Sequence, residues 1–68
     1  MQHQQVGLLA LQSGELLPVE VMQSGAGFYL GTSQEQAPFS RESEEYWPTL
    51  KQAEAALNGN DWTQRLFS

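Results

Sequence analysis

Cysteine is missing from the chain, so no disulfide can staple it, no thiolate can act as a nucleophile and no Cys-based zinc site can form. Cations are almost as scarce. Arg41, Lys51 and Arg65 stand against eight carboxylates, for a net charge of −5. A surface of that sign disfavours a phosphate backbone, which argues against nucleic acid and for a protein partner. The one histidine, His3, falls in the polar start MQHQQ, where no third group can hold an imidazole for Ser-His-Asp chemistry. That start lacks the basic flank and apolar run of a signal peptide. No stretch approaches the ~20 apolar residues of a membrane span, so the expected location is the cytoplasm.

What is present is enough for one small fold. The 68 residues are 40% hydrophobic and 16% charged, a balance unlike that of a disordered chain. A domain of this size hides only about 60% of the surface its unfolded chain exposes, and small folds without staples commonly dimerise. The expectation is a flexible tail over 1–5, a single domain over 6–68 and a homodimer.

The chain is organised around the segment 47–62, WPTLKQAEAALNGNDW. Pro48 cannot continue a preceding ladder, Thr49 can cap, and Gln52 three residues on completes a capping box, which predicts a helix over about 49–58. Leu50, Ala53 and Leu57 form its apolar stripe, Asn58 and Gly59 supply a left-handed stop, and Trp47 and Trp62 clasp its two ends. Before it, VGLLALQ at 6–12 reads as a short strand followed by a turn at 12–15. LLPVEVM at 16–22 alternates Leu17, Val19 and Val21 against the rest, as a half-buried strand does, with Pro18 at an edge or bulge. Glycines at 25 and 27 mark a second turn. Phe28 and Leu30 then share one face of a third strand, with Tyr29 on the other. The polar stretch 33–38 has loop composition, 39–47 alternates as a further strand, and 62–67 reads as a last one. The predicted class is α+β: a small antiparallel sheet of three to five strands, in the order β-β-β-(β)-α-β, with one helix on one face. The uncovered face is then either polar or a site of self-association.

No residue pattern specifies chemistry. Gly25, Gly27 and Gly31 do not have the spacing of a dinucleotide loop, and the acidic run lacks the regular oxygen offsets of a calcium loop, so neither cofactor nor metal is expected. Glu42 and Glu54 are a carboxylate pair on paper, but so short a chain has little room for a cleft between them, and an enzyme is not predicted. Tyr29, Tyr46, Trp47 and Trp62 are the residue types of a stacking platform, yet they lack the cationic funnel such grooves need. The densest charge is Arg41, Glu42, Ser43, Glu44 and Glu45. With Tyr46 and Arg65 it forms the candidate interaction surface, and as a strand it would be a solvated edge guarded against aggregation. Arg65 is expected to pair with a glutamate across the sheet.

GFYLGT at 27–32, SRES at 40–43 followed by Tyr46, and WTQR at 62–65 after an Ala-rich helix resemble short uncharacterised proteins of Gram-negative bacteria and their phages or plasmids. The resemblance covers about 25–65. It implies a bacterial or mobile-element origin and a small α+β domain, and marks Arg41, Glu42, Ser43 and Arg65 as more than surface filler, but carries no activity with it. The leading expectation is a non-enzymatic acidic protein that binds another protein. The alternative is an acidic decoy in which Glu42, Glu44 and Glu45 occupy a nucleic-acid-binding surface.

Overall fold

The structure, a computed structural model, describes residues 5–67. The expected tail lies outside them apart from Gln5, and so does His3. Five elements follow in order: α1 (Leu8–Gln12), β1 (Glu20–Ser24), β2 (Gly27–Gln34), β3 (Ala37–Arg41) and α2 (Leu50–Asn58). The strands form one antiparallel meander, β1-β2-β3, and the fold is α+β as the sequence predicts.

The β1–β2 hairpin closes on the pair Ser24 and Gly27, with Gly25 and Ala26 as the two-residue turn. Gly27 takes a φ of 128°, open only to glycine. The second hairpin falls where composition predicts a loop: β2 runs to Gln34, β3 begins at Ala37, and Glu35 and Gln36 make the whole turn. Both sit at positive φ, 53° and 68°, the conformation for which Asn-Gly is the preferred pair. Two non-glycine residues there conceal the turn from a sequence reading and leave it strained. Replacing Glu35→Asn and Gln36→Gly together should raise stability by about 1 kcal/mol, measured as a higher urea midpoint at unchanged slope.

The helix α2 begins as its sequence dictates: the Thr49 hydroxyl accepts the Gln52 N–H at 3.2 Å. Its end differs in detail. Gly59 is not left-handed, with φ at −89°, and the positive φ of 52° belongs to Asn60. The buried stripe is also rotated. Ala53 and Ala56 are buried and Leu57 is half-buried, whereas Leu50, expected in the core, is 47% exposed. Leu50 is the first helical residue, and the helix turns its two small alanines to the sheet instead, which allows close approach.

The largest departure is at 6–12. Residues 5–7 do pair with 17–19, through Gly7 N–H to the Leu17 carbonyl (2.9 Å) and Val19 N–H to that of Gln5 (2.7 Å). The chain then turns into α1 rather than continuing as a strand. Ser13 and Gly14, read as a hairpin turn, are the end of this helix: Glu15 N–H bonds the Ala10 carbonyl, Gly14 N–H that of Leu11, and Gly14 takes φ 85°. That pair of bonds is a Schellman stop. The expected strand over 39–47 stops at Arg41, and that over 62–67 is reduced to a bridge between Ser43 and Gln64, flanked by Glu44 N–H to Thr63 O and Arg65 N–H to Glu42 O.

Val19, Leu30 and Ala53 are the buried centre of the core, and Val21, Phe28, Trp47, Leu57 and Trp62 pack around them. Leu17 is half-buried. The two tryptophans thus flank the helix–sheet contact, as expected of a clasp, and Trp47 also pairs its backbone with Phe28 (2.9 and 2.7 Å). The sheet face away from Leu30 carries Tyr29, whose ring lies over Gly31. A Cβ at position 31 would sit 2.9 Å from that ring and 2.3 Å from the Ser40 carbonyl oxygen, so only glycine fits.

Candidate interaction surface

The residues of the predicted surface divide sharply between inside and outside. Glu42 and Ser43 are completely buried, so neither belongs to a surface, a correction to the solvated-edge reading. The cause is local. β3 ends at Arg41, and the Glu42 and Ser43 N–H groups both turn to the Leu30 carbonyl, at 2.8 and 3.0 Å, carrying both side chains under the sheet end.

There the Glu42 carboxylate gathers three separate parts of the chain. One oxygen accepts the Leu9 N–H (3.0 Å) and the Gln64 amide (2.7 Å); the other accepts the Ala10 N–H (3.1 Å) and the Ser40 hydroxyl (2.6 Å). Leu9 and Ala10 are at the start of α1, whose own N-cap, Gly7, offers no side chain. Glu42 therefore caps that helix from more than thirty residues away and opposes its dipole. Gly7 is required for the approach, since a Cβ there would lie 2.7 Å from the carboxylate and 2.5 Å from the Thr32 methyl. Burial alone would push the Glu42 carboxyl up. The hydrogen bonds from Ser40, Leu9, Gln64 and Ala10 outweigh it and hold the group below the usual carboxylate range. Ser43 is similarly occupied, accepting the Leu30 N–H (3.0 Å) and donating to the Glu45 carbonyl (2.8 Å).

Glu45 is half-buried and its carboxylate accepts the Thr63 N–H at 3.0 and 3.1 Å. Burial would raise this carboxyl too, and the bonds to Thr63 bring it below its ordinary value. Glu44 alone of the three acids is exposed. Arg41 donates to the Tyr46 hydroxyl and lies 4.8 Å from the centre of its ring. Tyr46 in turn meets Tyr29 edge-on, with centroids 5.8 Å apart, so this stack covers the sheet face that the helices leave open. Burial and the neighbouring Tyr46 push the Tyr29 hydroxyl up, with Arg41 opposing them. Arg65 bonds the Arg41 carbonyl rather than a glutamate (3.4 Å), and neither guanidinium donates to a carboxylate among the described residues. Two buried nitrogens, Arg41 Nε and Trp62 Nε1, have no hydrogen-bond partner among the described residues.

The structure thus brings SRES and WTQR together, but around a carboxylate that serves the fold. Sequence reasoning missed Ser40, Gln64 and the amides of Leu9 and Ala10. Ser40 and Glu42 stand two apart in the sequence, a legible signal; the other partners are fixed only by tertiary contact.

Several large apolar side chains remain outside. On α1, Leu8 is 37% and Leu11 50% exposed, three residues apart and therefore adjacent on one helix face; Leu16 beyond the turn is 75% exposed. At the other terminus Leu66 and Phe67 are open. A recess of about 280 Å³ is lined by Trp47, Gln52, Ala55, Ala56 and Asp61, and holds a single carboxylate rather than a pair. Among the described residues no group of three His, Cys, Asp or Glu side chains is placed to hold a metal, and no helix is long and apolar enough to cross a membrane. Comparison with protein-family models, with curated proteins and with solved structures returns no match for the chain.

Proposed function

We propose that this is a non-enzymatic, cytoplasmic protein of bacterial or mobile-element origin that acts as a homodimer by binding another protein. The observation that carries the reading is the division just described. The polar groups with chemical potential, Glu42, Ser43 and Glu45, are spent on internal hydrogen bonds, while Leu8 and Leu11 stand in solvent on a segment without charge between His3 and Glu15, and Leu16 just beyond that segment is exposed as well. Adjacent large aliphatics on a short uncharged helix favour a protein contact. The decoy reading rests on the net charge of −5 and on the cluster Glu42, Glu44 and Glu45; burial of Glu42 weakens the second support and leaves the first.

Immobilised wild-type protein should retain a partner from a bacterial extract, and the double variant Leu8→Ser, Leu11→Ser should retain it at least ~10-fold less while keeping its circular dichroism. Glu44→Gln should behave as wild type. No retained protein, or equal retention by the leucine variant, would count against the reading. Loss through Glu44→Gln and added salt would restore the decoy.

A further inference from the structure

The recess beside α2 joins an indole and a carboxylate in one small space. It is lined by Trp47, Gln52, Ala55, Ala56 and Asp61 and measures about 280 Å³. Sites that enclose a whole small molecule run to ~300–1,000 Å³, so this one suits a single side chain.

Backbone contacts set each part of it. Trp47 is held by its two hydrogen bonds to Phe28, 2.9 and 2.7 Å. Ala55 and Ala56 follow Gln52 by three and four residues and therefore share one side of α2 with it. Asp61 is brought back to that side by the stop of the helix: its N–H bonds the Ala56 carbonyl (2.8 Å), the Asn60 N–H bonds that of Leu57 (3.2 Å), and Asn60 takes the positive φ.

The electrostatics of this end call for a cation. The carbonyl end of a helix carries about half a negative charge, which a basic residue in the last turn ordinarily answers. α2 has no basic residue there, and Asp61 adds a full negative charge beside it. Of the aromatic side chains, indole attracts a cation most strongly, and Trp47 contributes one to the same recess.

The geometry points to a seat for an arginine side chain of the partner protein, its guanidinium stacked on Trp47 and paired with the Asp61 carboxylate, with the Gln52 amide oxygen as a further acceptor. Arginine suits the site better than lysine, because its planar, weakly hydrated head stacks on a ring and gives a carboxylate two N–H groups at once. The inference rests on the proposed protein binding for the source of the arginine, but not on Leu8 and Leu11.

Titration of the whole chain with N-acetyl-arginine methylamide, followed by nuclear magnetic resonance, tests this. The Trp47 indole N–H and the Ala55 and Asp61 amides should shift along a saturating curve with a millimolar midpoint, as expected of one side chain without its protein. The citrulline analogue, which keeps the shape and loses the charge, should not saturate. Asp61→Asn should weaken the arginine probe ~3-fold or more. Ala55→Leu places a good helix former at an exposed position, fills the recess and should abolish the shifts. Circular dichroism checks both variants, and the comparison of probes needs neither. No saturable shift, equal binding of the citrulline or lysine analogue, or wild-type binding by Asp61→Asn overturns the arginine seat, even where a partner is still retained through Leu8 and Leu11. A probe that binds to a protein retaining no partner from extract overturns the protein-binding reading and with it the partner's arginine, while the recess stands as a cation site.

Discussion

Glu42→Gln should destabilise the protein by about 3 kcal/mol or more, although it changes one oxygen to nitrogen and leaves the shape alone. An amide in this position presents one acceptor and a donor group to four donors, those of Leu9, Ala10, Ser40 and Gln64. At least one backbone N–H of α1 then loses its partner inside the protein, and each such buried donor costs about 1–3 kcal/mol, the more so where the lost acceptor was charged. A domain of this size has only about 3–10 kcal/mol in total. The variant should therefore unfold at much lower urea, and α1 should detach before the sheet does. The same residue sets the acid limit of the fold. Its carboxyl lies lower in the folded state than in the unfolded chain, so its contribution is complete above the ordinary glutamate value of 4.5 and is lost as pH falls through the folded value. Glu45 is shifted in the same direction and contributes in the same sense. Stability of the wild type should fall as pH drops below that range, and Glu42→Gln should flatten the fall, leaving the part that belongs to Glu45.

Leu30→Ala should cost about 2–5 kcal/mol, the range for emptying a buried leucine site. Leu30 is fully buried on Val19 and Ala53, and Phe28, Trp47, Leu57 and Trp62 pack around that centre. Its backbone is equally committed, with N–H on Ser43 Oγ and the carbonyl accepting from Glu42 and Ser43. The cavity would be walled by a sheet on one side and a helix on the other, which limits collapse. Leu50→Ala removes the same side chain from the helix that Ala53 belongs to and should change stability by only about 0.5 kcal/mol, since Leu50 is half in solvent. Urea midpoints of the pair separate the rotated stripe of α2 from the one that Leu50, Ala53 and Leu57 would make. Equal losses would place Leu50 in the core after all.

Local signals were legible where local physics decides. Thr49 and Gln52 fixed the start of α2, and the period-two pattern around Val19, Phe28 and Leu30 located the core face, because capping and alternation act over a few residues. The failures are long-range or strained. LLALQ has no cap of its own and too few residues to be stable as a helix, so nothing near it announces α1; the cap arrives from Glu42. Glu35 and Gln36 take a glycine-like turn without glycine, so the second hairpin read as a loop. Glu42 itself was misplaced because a charged residue in an acidic run is normally solvated. Only the convergence of α1, Ser40 and Gln64 makes its burial affordable.

The most direct test of this account is a proton titration followed by nuclear magnetic resonance. The Glu42 carboxyl should titrate below the ordinary glutamate range, with the Leu9 and Ala10 amide resonances moving in step as their acceptor is lost. Amides that stay fixed while Glu42 titrates at an ordinary value would contradict the buried cap, and with it the reading that leaves function to the apolar outside of α1.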